Sequence, residues 1–346
     1  MTTASPSSRR IRPGVLAAIF GALLVVAVIG VAVGPVSMGV GDVARSLLSR
    51  LPFVDLETGL TIQQSAVLWE LRAPRVVLGG LVGGTLALAG ASYQGVFRNP
   101  LADPYLLGVA AGAGLGATVA IGAGVSASGW LLPFAAFAGA LLGVGATYSL
   151  ARIGGTRRTA TLILAGVAVA SFMTAAQTFV QQLTSDTIRE VFSWILGRLT
   201  TVSWSEVILL VPFVAVSGAV LIAHGRHLDV LSVGEEEASS LGLHAERVRL
   251  VVVVAATLAT AAAVAVSGLI GFVGIVVPHA VRRIVGVSYR ILLPISFLVG
   301  AGFMVAADIL ARTLIAPAEL PIGVITAFVG APFFAVILSR TRGSTV

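Results

Sequence analysis

The sequence has no cysteine and no lysine among its 346 residues, and only 11% of its residues are charged. Without cysteine the chain forms neither disulfides nor thiolate metal sites. Without lysine it cannot contain the Gly-Lys-Ser/Thr sequence of a Walker A loop, which binds nucleotide phosphates. We therefore expect no P-loop ATPase site in this chain and no enzymatic activity of its own.

Apolar residues are what the chain has in abundance: 57% of its residues are hydrophobic and the mean hydropathy is +1.01. That composition is typical of a membrane protein rather than a soluble domain. Nine windows are long enough to cross the hydrocarbon core, and a shorter apolar run adds a tenth element. We predict an all-α polytopic membrane protein with about ten transmembrane helices, at 14–36, 74–97, 105–123, 130–151, 160–183, 204–224, 248–268, 271–286, 290–314 and 322–339.

The predicted organisation is a single transmembrane domain over 14–340, between an N-terminal tail, 1–13, and a C-terminal tail, 341–346. The first apolar run is too long for a signal peptide, so it is interpreted as a retained first helix. With ten crossings and an inner N-terminus, 15 of the 22 arginines fall in inner loops and tails. The positive-inside rule then places both termini in the cytoplasm. It also accounts for the net charge of +7 without a nucleic-acid partner.

A polar segment, Leu228–Arg249, interrupts the apolar second half of the chain. Gly234 and Gly242 bracket a short predicted helix whose first turn carries three glutamates, where the helix dipole favours negative charge. Gly242 suits a left-handed position after the helix end. A helix of about two turns is unstable alone in water. The residues by themselves leave open an ordinary cytoplasmic loop or an element that docks onto a partner protein.

The segment from Leu71 to Ala117 combines small residues at helical spacing with the turn Asn-Pro-Leu-Ala-Asp-Pro at 99–104. Small residues let transmembrane helices approach closely. Two prolines four residues apart end one helix and delay the next. The pattern predicts a tightly packed helix followed by a tight cytoplasmic turn.

Four separated motifs resemble the FecCD or BtuC type of permease family, the transmembrane subunits of importers for iron siderophores, haem and vitamin B12. GEEEASSLGL at 234–243 is similar to the family's coupling helix, and LRAPR at 71–75 leads into its NPLADPYLLGV string at 99–109. SGLIGFVGIVVPH at 267–279 and ADILAR at 307–312 with ELPIG at 319–323 complete the series. The resemblance covers about Leu71 to Arg342.

The resemblance implies a BtuC-like fold and several protein partners. These are two cytoplasmic ATP-binding-cassette ATPase subunits, an extracytoplasmic substrate-binding protein and a second permease copy, as a homodimer or a heterodimer. It implies location in the cytoplasmic membrane and no cofactor. The expected cargo is a ferric siderophore or haem, and cobalamin is the alternative.

The resemblance also implies three sets of site residues. The ATPase-coupling residues are Gly234, Glu235, Glu236, Glu237, Ala238, Ser239, Ser240, Leu241, Gly242 and Leu243. The inner gate would be formed by Asn99, Leu101, Thr156 and Thr159. Arg72, Arg75 and Arg312, at predicted outer ends, are expected to bind the substrate-binding protein. For Arg72 and Arg75 the alternative is that they extend to the interface beside Glu70.

Other functional classes find little support. A secondary transporter would need acids within its spans, and Asp308 is the only acid well inside a predicted span. We expect Asp308 to play a structural role, such as binding to neighbouring backbone or to Arg312 one turn on. The Gly-Val-Gly-Asp string at 39–42 matches a motif of intramembrane aspartyl proteases, which need two facing aspartates inside the membrane. Asp42 lies just beyond a predicted helix end, so we interpret the match as a chance one. His224 and His227 lack a third ligand, so no metal site is predicted.

Overall fold

The computed structural model describes residues 13–342, apart from 35, 51, 53, 55, 126–128, 154–158 and 200–202. Within these ranges the chain is helical and contains no β-strand. The α-helices are α1 (Pro13–Ala32), α2 (Val40–Leu48), α3 (Ile62–Ala66), α4 (Ala73–Phe97), α5 (Val109–Gly122), α6 (Leu131–Ile153), α7 (Thr159–Leu183), α8 (Ile188–Ile195), α9 (Trp204–Ala223), α10 (Gly225–Val233), α11 (Glu235–Ser240), α12 (Ala245–Ser267), α13 (Val273–Val285), α14 (Tyr289–Thr313) and α15 (Ile322–Arg342).

The predicted set of about ten membrane helices is confirmed. Seven described helices are long and apolar enough to cross a membrane: Pro13–Ala32, Ile62–Phe97, Leu131–Ile153, Ala160–Leu183, Trp204–Ala223, Ala245–Ser267 and Tyr289–Thr313. The shorter apolar helices Val109–Gly122 and Ile322–Ile337 and the 13-residue helix α13 complete the bundle.

The second span begins earlier than the sequence predicts. The predicted start was residue 74, but the helix is continuous over Ile62–Phe97. Proline normally interrupts a helix because its ring clashes with the carbonyl four residues before it. Here a π-helical turn, Val67–Arg72, directly precedes Ala73 and Pro74. The wider turn lets the helix pass through the proline without ending.

Helix α4 lies at the centre of the bundle, where α12, α13 and α14 pack around it. A Cβ atom placed on Gly83 would lie 2.3 Å from the carbonyl oxygen of Gly300, and one on Gly90 would lie 2.1 Å from that of Gly274. The backbones of these helices therefore touch, which only glycine permits. Because lipid is as apolar as a core side chain, such close packing rather than the hydrophobic effect holds membrane helices together.

Several helices present apolar side chains outward. Phe172 and Phe179 on α7 are 74% and 65% exposed, and Phe328 on α15 is 72% exposed. These helices lie at the outside of the subunit, and their exposed aromatic side chains require apolar surroundings there. A lipid bilayer or a second copy of the chain meets that requirement.

Candidate coupling, gate and docking sites

Helix α11 forms where the sequence predicts it. It spans Glu235–Ser240, directly after Gly234. Gly242 adopts φ +81° and donates its backbone N–H to the Ser239 carbonyl at 2.9 Å. The next residue, Leu243, donates to the Ala238 carbonyl at 2.9 Å. The predicted left-handed glycine therefore closes the helix, since it is the residue type that adopts this conformation without strain.

One side of α11 is anchored in the protein and the other is open. Ala238 is fully buried and Leu243 packs against the main core. Glu236 and Glu237 are exposed, and Leu241 is 72% exposed. The surface that remains combines carboxylates with an unburied leucine, so charge and an apolar side chain are both accessible there.

Helix α10, which precedes α11, is held by a residue that the sequence analysis did not single out. The Asp229 carboxylate accepts hydrogen bonds from the backbone N–H of Tyr289 at 2.6 Å and from Oγ of Ser288 at 2.8 Å. Tyr289 is the first residue of α14, and Ser288 directly precedes it. Asp229 lay inside the predicted polar segment, but its partners follow about 60 positions later, so sequence spacing gave no signal of the contact.

The turn between α4 and α5 has the predicted construction. Arg98 ends α4 in the left-handed conformation at φ 49°. Oδ1 of Asn99 accepts from the Leu101 backbone N–H at 3.0 Å, and Oδ1 of Asp103 accepts from that of Tyr105 at 2.7 Å. Burial raises the pKa of the Asp103 carboxyl to about 6, against the opposing effect of the Tyr105 N–H. The two side chains satisfy backbone groups that the prolines leave free.

The proposed inner gate is placed only in part. Leu101 is 38% exposed at this turn. The hydroxyl of Tyr105 donates to the Ile270 carbonyl at 2.9 Å and thereby connects the turn to the segment before α13. Thr156 lies outside the described residues; Thr159 begins α7, and its side chain is also outside the description. The gate therefore stays a prediction for all four residues.

An ion-pair cluster joins α4, α14 and the loop that follows α14. Nη2 of Arg75 lies 2.8 Å from Oδ1 of Asp308 and 2.9 Å from Oε2 of Glu319. Nε of Arg312 lies 3.1 Å from Oδ2 of Asp308. The Asp308 side chain is only 3% exposed, so a pair of cations compensates the buried charge. Of the two structural roles expected for Asp308, binding to neighbouring backbone or to Arg312, the structure shows the ion pair with Arg312.

Two of the three predicted docking arginines cap the end of α1. Arg72 donates through Nη1 to the carbonyls of Val31 and Ala32 at 3.1 and 2.7 Å. Arg312 donates to those of Gly30 and Val33 at 2.8 and 3.0 Å. Cations are favourable at a helix C-terminus, where the carbonyls lack helical partners. Sequence reasoning missed this role because nothing in the local pattern brings α1 close to α14.

The exposure of the three arginines differs in a way that bears on docking. Arg72 and Arg312 are 5% and 6% exposed. The Arg75 side chain is 12% exposed, and Glu319, 30% exposed, covers its outer side. Docking by these arginines stays a prediction. Arg75 is the most exposed of the three, and its partner Glu319 is itself partly exposed.

The histidine pair is placed at the junction of α9 and α10. The rings of His224 and His227 lie 5.2 Å apart, and Nδ1 of His224 is 2.7 Å from the Val220 carbonyl oxygen. The described residues contain no group of three or more potential metal ligands. The contact of the His224 ring with the Val220 carbonyl explains this residue as part of the end of α9.

The fold and these contacts define a class of protein, a multi-pass α-helical membrane subunit with a short acidic helix between two of its spans. Residues 22–340 match the FecCD transport family, and the chain belongs to that family. It is 45% identical to the uncharacterised ABC transporter permease protein YvrB of Bacillus subtilis over 278 residues, and this alignment covers 79% of each chain. It is 42% identical over 283 residues to the cobalamin import system permease protein BtuC of Halobacterium salinarum, covering 82% of this chain and 76% of the relative.

A solved structure of a metal-chelate type ABC transporter in an inward-facing conformation is also similar. It superposes with a TM-score of 0.82 at 30% identity, covering 95% of this chain and 100% of that one. The predicted family and fold are confirmed. The chain is thus an ABC importer permease, a subunit type that has no ATPase site of its own.

Proposed function

We propose that the chain is the permease subunit that carries a ferric siderophore or haem across the cytoplasmic membrane, driven by a separate pair of ATPase subunits. The observation that carries the proposal is the geometry of α11. It is a six-residue helix, too short to persist unsupported. The bundle holds it at Ala238 while its acidic side faces outward.

ATP binding would act through α11. Closure of the two ATPase subunits would displace the helix, and the displacement would bias the permease between two arrangements of its helices. The sequence of this chain contains no lysine and hence no Walker A loop. ATP would therefore have to act through another subunit.

Two permease copies would enclose the translocation path, as a homodimer. The exposed apolar faces of α7 and α15 support this arrangement, because large aromatic side chains there are not covered by the described part of the chain. A path made largely of apolar and small residues offers few strong polar contacts. Such a surface suits a bulky chelate that must be released as well as bound.

Cobalamin is the second candidate. The 42% identity to the Halobacterium salinarum cobalamin permease supports it. Cobalamin and the ferric chelates are all large metal complexes, so the same apolar path can accommodate each of them.

On the outer side, a substrate-binding protein would dock near the Arg75 cluster. Glu319 occupies the Arg75 guanidinium with two hydrogen bonds of 3.1 and 2.9 Å. A carboxylate on the binding protein could replace Glu319 there, since the exchange keeps the arginine paired. Charge pairs of this kind chiefly set orientation and association rate.

Uptake of labelled ferric siderophores, haemin and cyanocobalamin tests the proposal. A strain lacking the gene is compared with the same strain carrying the wild-type gene or a variant without residues 235–240. We expect one substrate class to depend on the gene, and the variant to be inserted in the membrane but inactive. A ferric or haem substrate supports the first candidate, and cobalamin supports the second.

Two outcomes would contradict the coupling role. Transport that persists in the variant would show that α11 is dispensable. Transport that survives inactivation of the ATPase would instead indicate a secondary transporter.

A further inference from the structure

Helix α10, which leads through Gly234 into α11, is joined to the first turn of α14 by a hydrogen-bonded contact. Both oxygens of the Asp229 carboxylate take part: Oδ1 accepts from the Tyr289 backbone N–H at 2.6 Å and Oδ2 from Ser288 Oγ at 2.8 Å. Ser288 precedes α14 but makes no capping bond to that helix with its own side chain. The cap of α14 is therefore supplied by α10, from about 60 residues earlier in the chain.

The backbones of the two helices also meet at this joint. A Cβ atom on Gly225 would lie 3.1 Å from Cα of Arg290 and 3.2 Å from the Tyr289 carbonyl oxygen. Leu228, one turn further along α10, is fully buried. Helix α10 thus contacts the start of α14 at Gly225, and the Leu228 side chain lies close to Gly95 of α4.

Tyr289 extends the joint to two further helices. Its hydroxyl accepts from Nη2 of Arg282 on α13 at 3.1 Å, and the Arg282 guanidinium lies 5.4 Å from the ring centroid. On α4, a Cβ atom at Gly95 would come within 2.9 Å of the same ring. The residue that Asp229 caps is therefore fixed against the rest of the bundle.

Helix α14 connects this joint to the opposite side of the protein. Its 25 residues span about 37 Å at 1.5 Å per residue. Near its other end Asp308 and Arg312 bind Arg75 and the end of α1. Between the two ends, α14 touches α4 backbone to backbone at Gly300 and Gly83. Pro294 removes one helical hydrogen bond near the start of α14, so it is the packing against α4 that would make the two helices move together when the first turn of α14 is displaced.

We propose that Asp229 is a positioning residue that transmits the displacement of α11 through α10 to α14, and from there to the Arg75 cluster at the far end of α14. This inference rests on the proposed function, because it requires α11 to be driven by an ATPase. Its distinct content is that the hydrogen bonds of the Asp229 carboxylate are required for this transmission, in addition to the backbone contact at Gly225. Loss of that carboxylate should separate ATP hydrolysis from transport rather than abolish both.

The test uses the complex isolated from its source membrane by a tag on this chain, and reconstituted in proteoliposomes with its binding protein. ATP hydrolysis and uptake of ferric siderophore, haemin or cyanocobalamin are measured together. For Asp229→Ala we expect uptake per ATP to fall about tenfold, because two hydrogen bonds to a charged group are lost, while the ATPase still copurifies and hydrolyses ATP. Ser288→Ala, which removes one of the two bonds, should show a smaller loss.

Asp229→Asn serves as the conservative variant, since its amide oxygen still accepts from the Tyr289 N–H and its NH₂ group can donate to the serine hydroxyl. We expect it to recover most of the coupling. The control is Asp186→Ala, which removes an exposed carboxylate from the turn before α8 and should leave uptake per ATP unchanged.

A distance measurement gives a second readout that does not depend on the cargo. The natural sequence has no cysteine, so spin labels can be attached at Leu314→Cys, just after α14, and Leu131→Cys, at the start of α6. We expect ATP to change the distance between the labels in the wild-type background, and Asp229→Ala to suppress that change.

The outcomes separate the inference from the proposed function. If no ATPase copurifies with the wild-type chain, or no candidate substrate is taken up with ATP, the proposed function fails. If the wild type is active and Asp229→Ala retains normal uptake per ATP and the normal distance change, the transmission role is overturned. Loss of ATPase binding together with uptake in Asp229→Ala would also overturn it, because Asp229 would then only hold α11 in place.

Discussion

Asp308 and Arg75 join α14 to α4 through a buried ion pair, in which Oδ1 of the carboxylate lies 2.8 Å from Nη2 of the guanidinium. Arg312 reaches the other oxygen of the same carboxylate. One anion therefore holds two cations, and removing its charge leaves Arg312 without its ion-pair partner and Arg75 with Glu319 alone.

We predict that Asp308→Ala destabilises the protein by roughly 3–5 kcal/mol, the cost of breaking a buried pair from one side. Thermal unfolding of the detergent-solubilised protein measures the effect. Asp42→Ala is the matched control: Asp42 also pairs with an arginine, but at 3.5 Å with side chains 31% and 54% exposed, so about 1 kcal/mol or less is expected. Equal shifts for the two variants would contradict a structural role of the cluster.

The contact between α4 and α14 predicts a second stability effect. Gly83→Ala would place a methyl group 2.3 Å from the Gly300 carbonyl oxygen, and forcing the helices apart should cost about 1–3 kcal/mol. Gly145→Ala adds the same group on α6 with nothing within 4 Å, and should be neutral or slightly stabilising. The two variants are compared by thermal unfolding in the same detergent, and a neutral Gly83→Ala would refute the close packing.

The left-handed glycine after α11 allows the coupling role to be tested without deletion. Gly242 has φ +81° and open space around its Cα, so Gly242→Ala should strain only the local backbone, by about 1–2 kcal/mol. We expect weaker binding of the ATPase and slower uptake. Gly124→Ala carries the same strain at φ +81°, also in open space, but lies after α5. If it impairs uptake equally, the effect does not come from the coupling helix.

The Arg75 cluster predicts an effect on binding-protein affinity. Glu319→Gln removes the charge that covers the outer side of Arg75, so a partner carboxylate would compete more easily and affinity should rise severalfold. The gain should be larger at low salt, where screening is weaker. Glu57→Gln removes one negative charge from another exposed position and controls for net charge. Binding is measured on the purified permease, and an equal response of both variants would argue against docking at Arg75.

The inner turn shows how far local sequence signals reach. Asn99, Asp103 and their prolines predict a turn whose side chains bind nearby backbone groups, and the observed bonds run only two residues along the chain. The left-handed conformation of Gly242 was predictable in the same way, since it depends only on the short helix that ends just before this residue. Such features were predictable because their causes are local.

The arginines show the opposite case. Arg72 and Arg312 stand out in the sequence as cations at predicted helix ends, but their partners are carbonyls at the end of α1, about 40 and 280 residues away. Asp229 and Tyr289 are likewise joined only because α10 and α14 come together in the fold. No pattern along the chain indicates these pairs.

The sequence by itself determined the membrane class, the number of membrane helices, the absence of a P-loop and the place of the short acidic helix α11, because each follows from composition, periodicity or short spacing. Only the tertiary structure decided which carboxylate meets which cation, that a π-helical turn carries the second span past Pro74, and that α10 caps α14. Those outcomes depend on how helices pack against one another, which is set by close contact between residues distant in the chain.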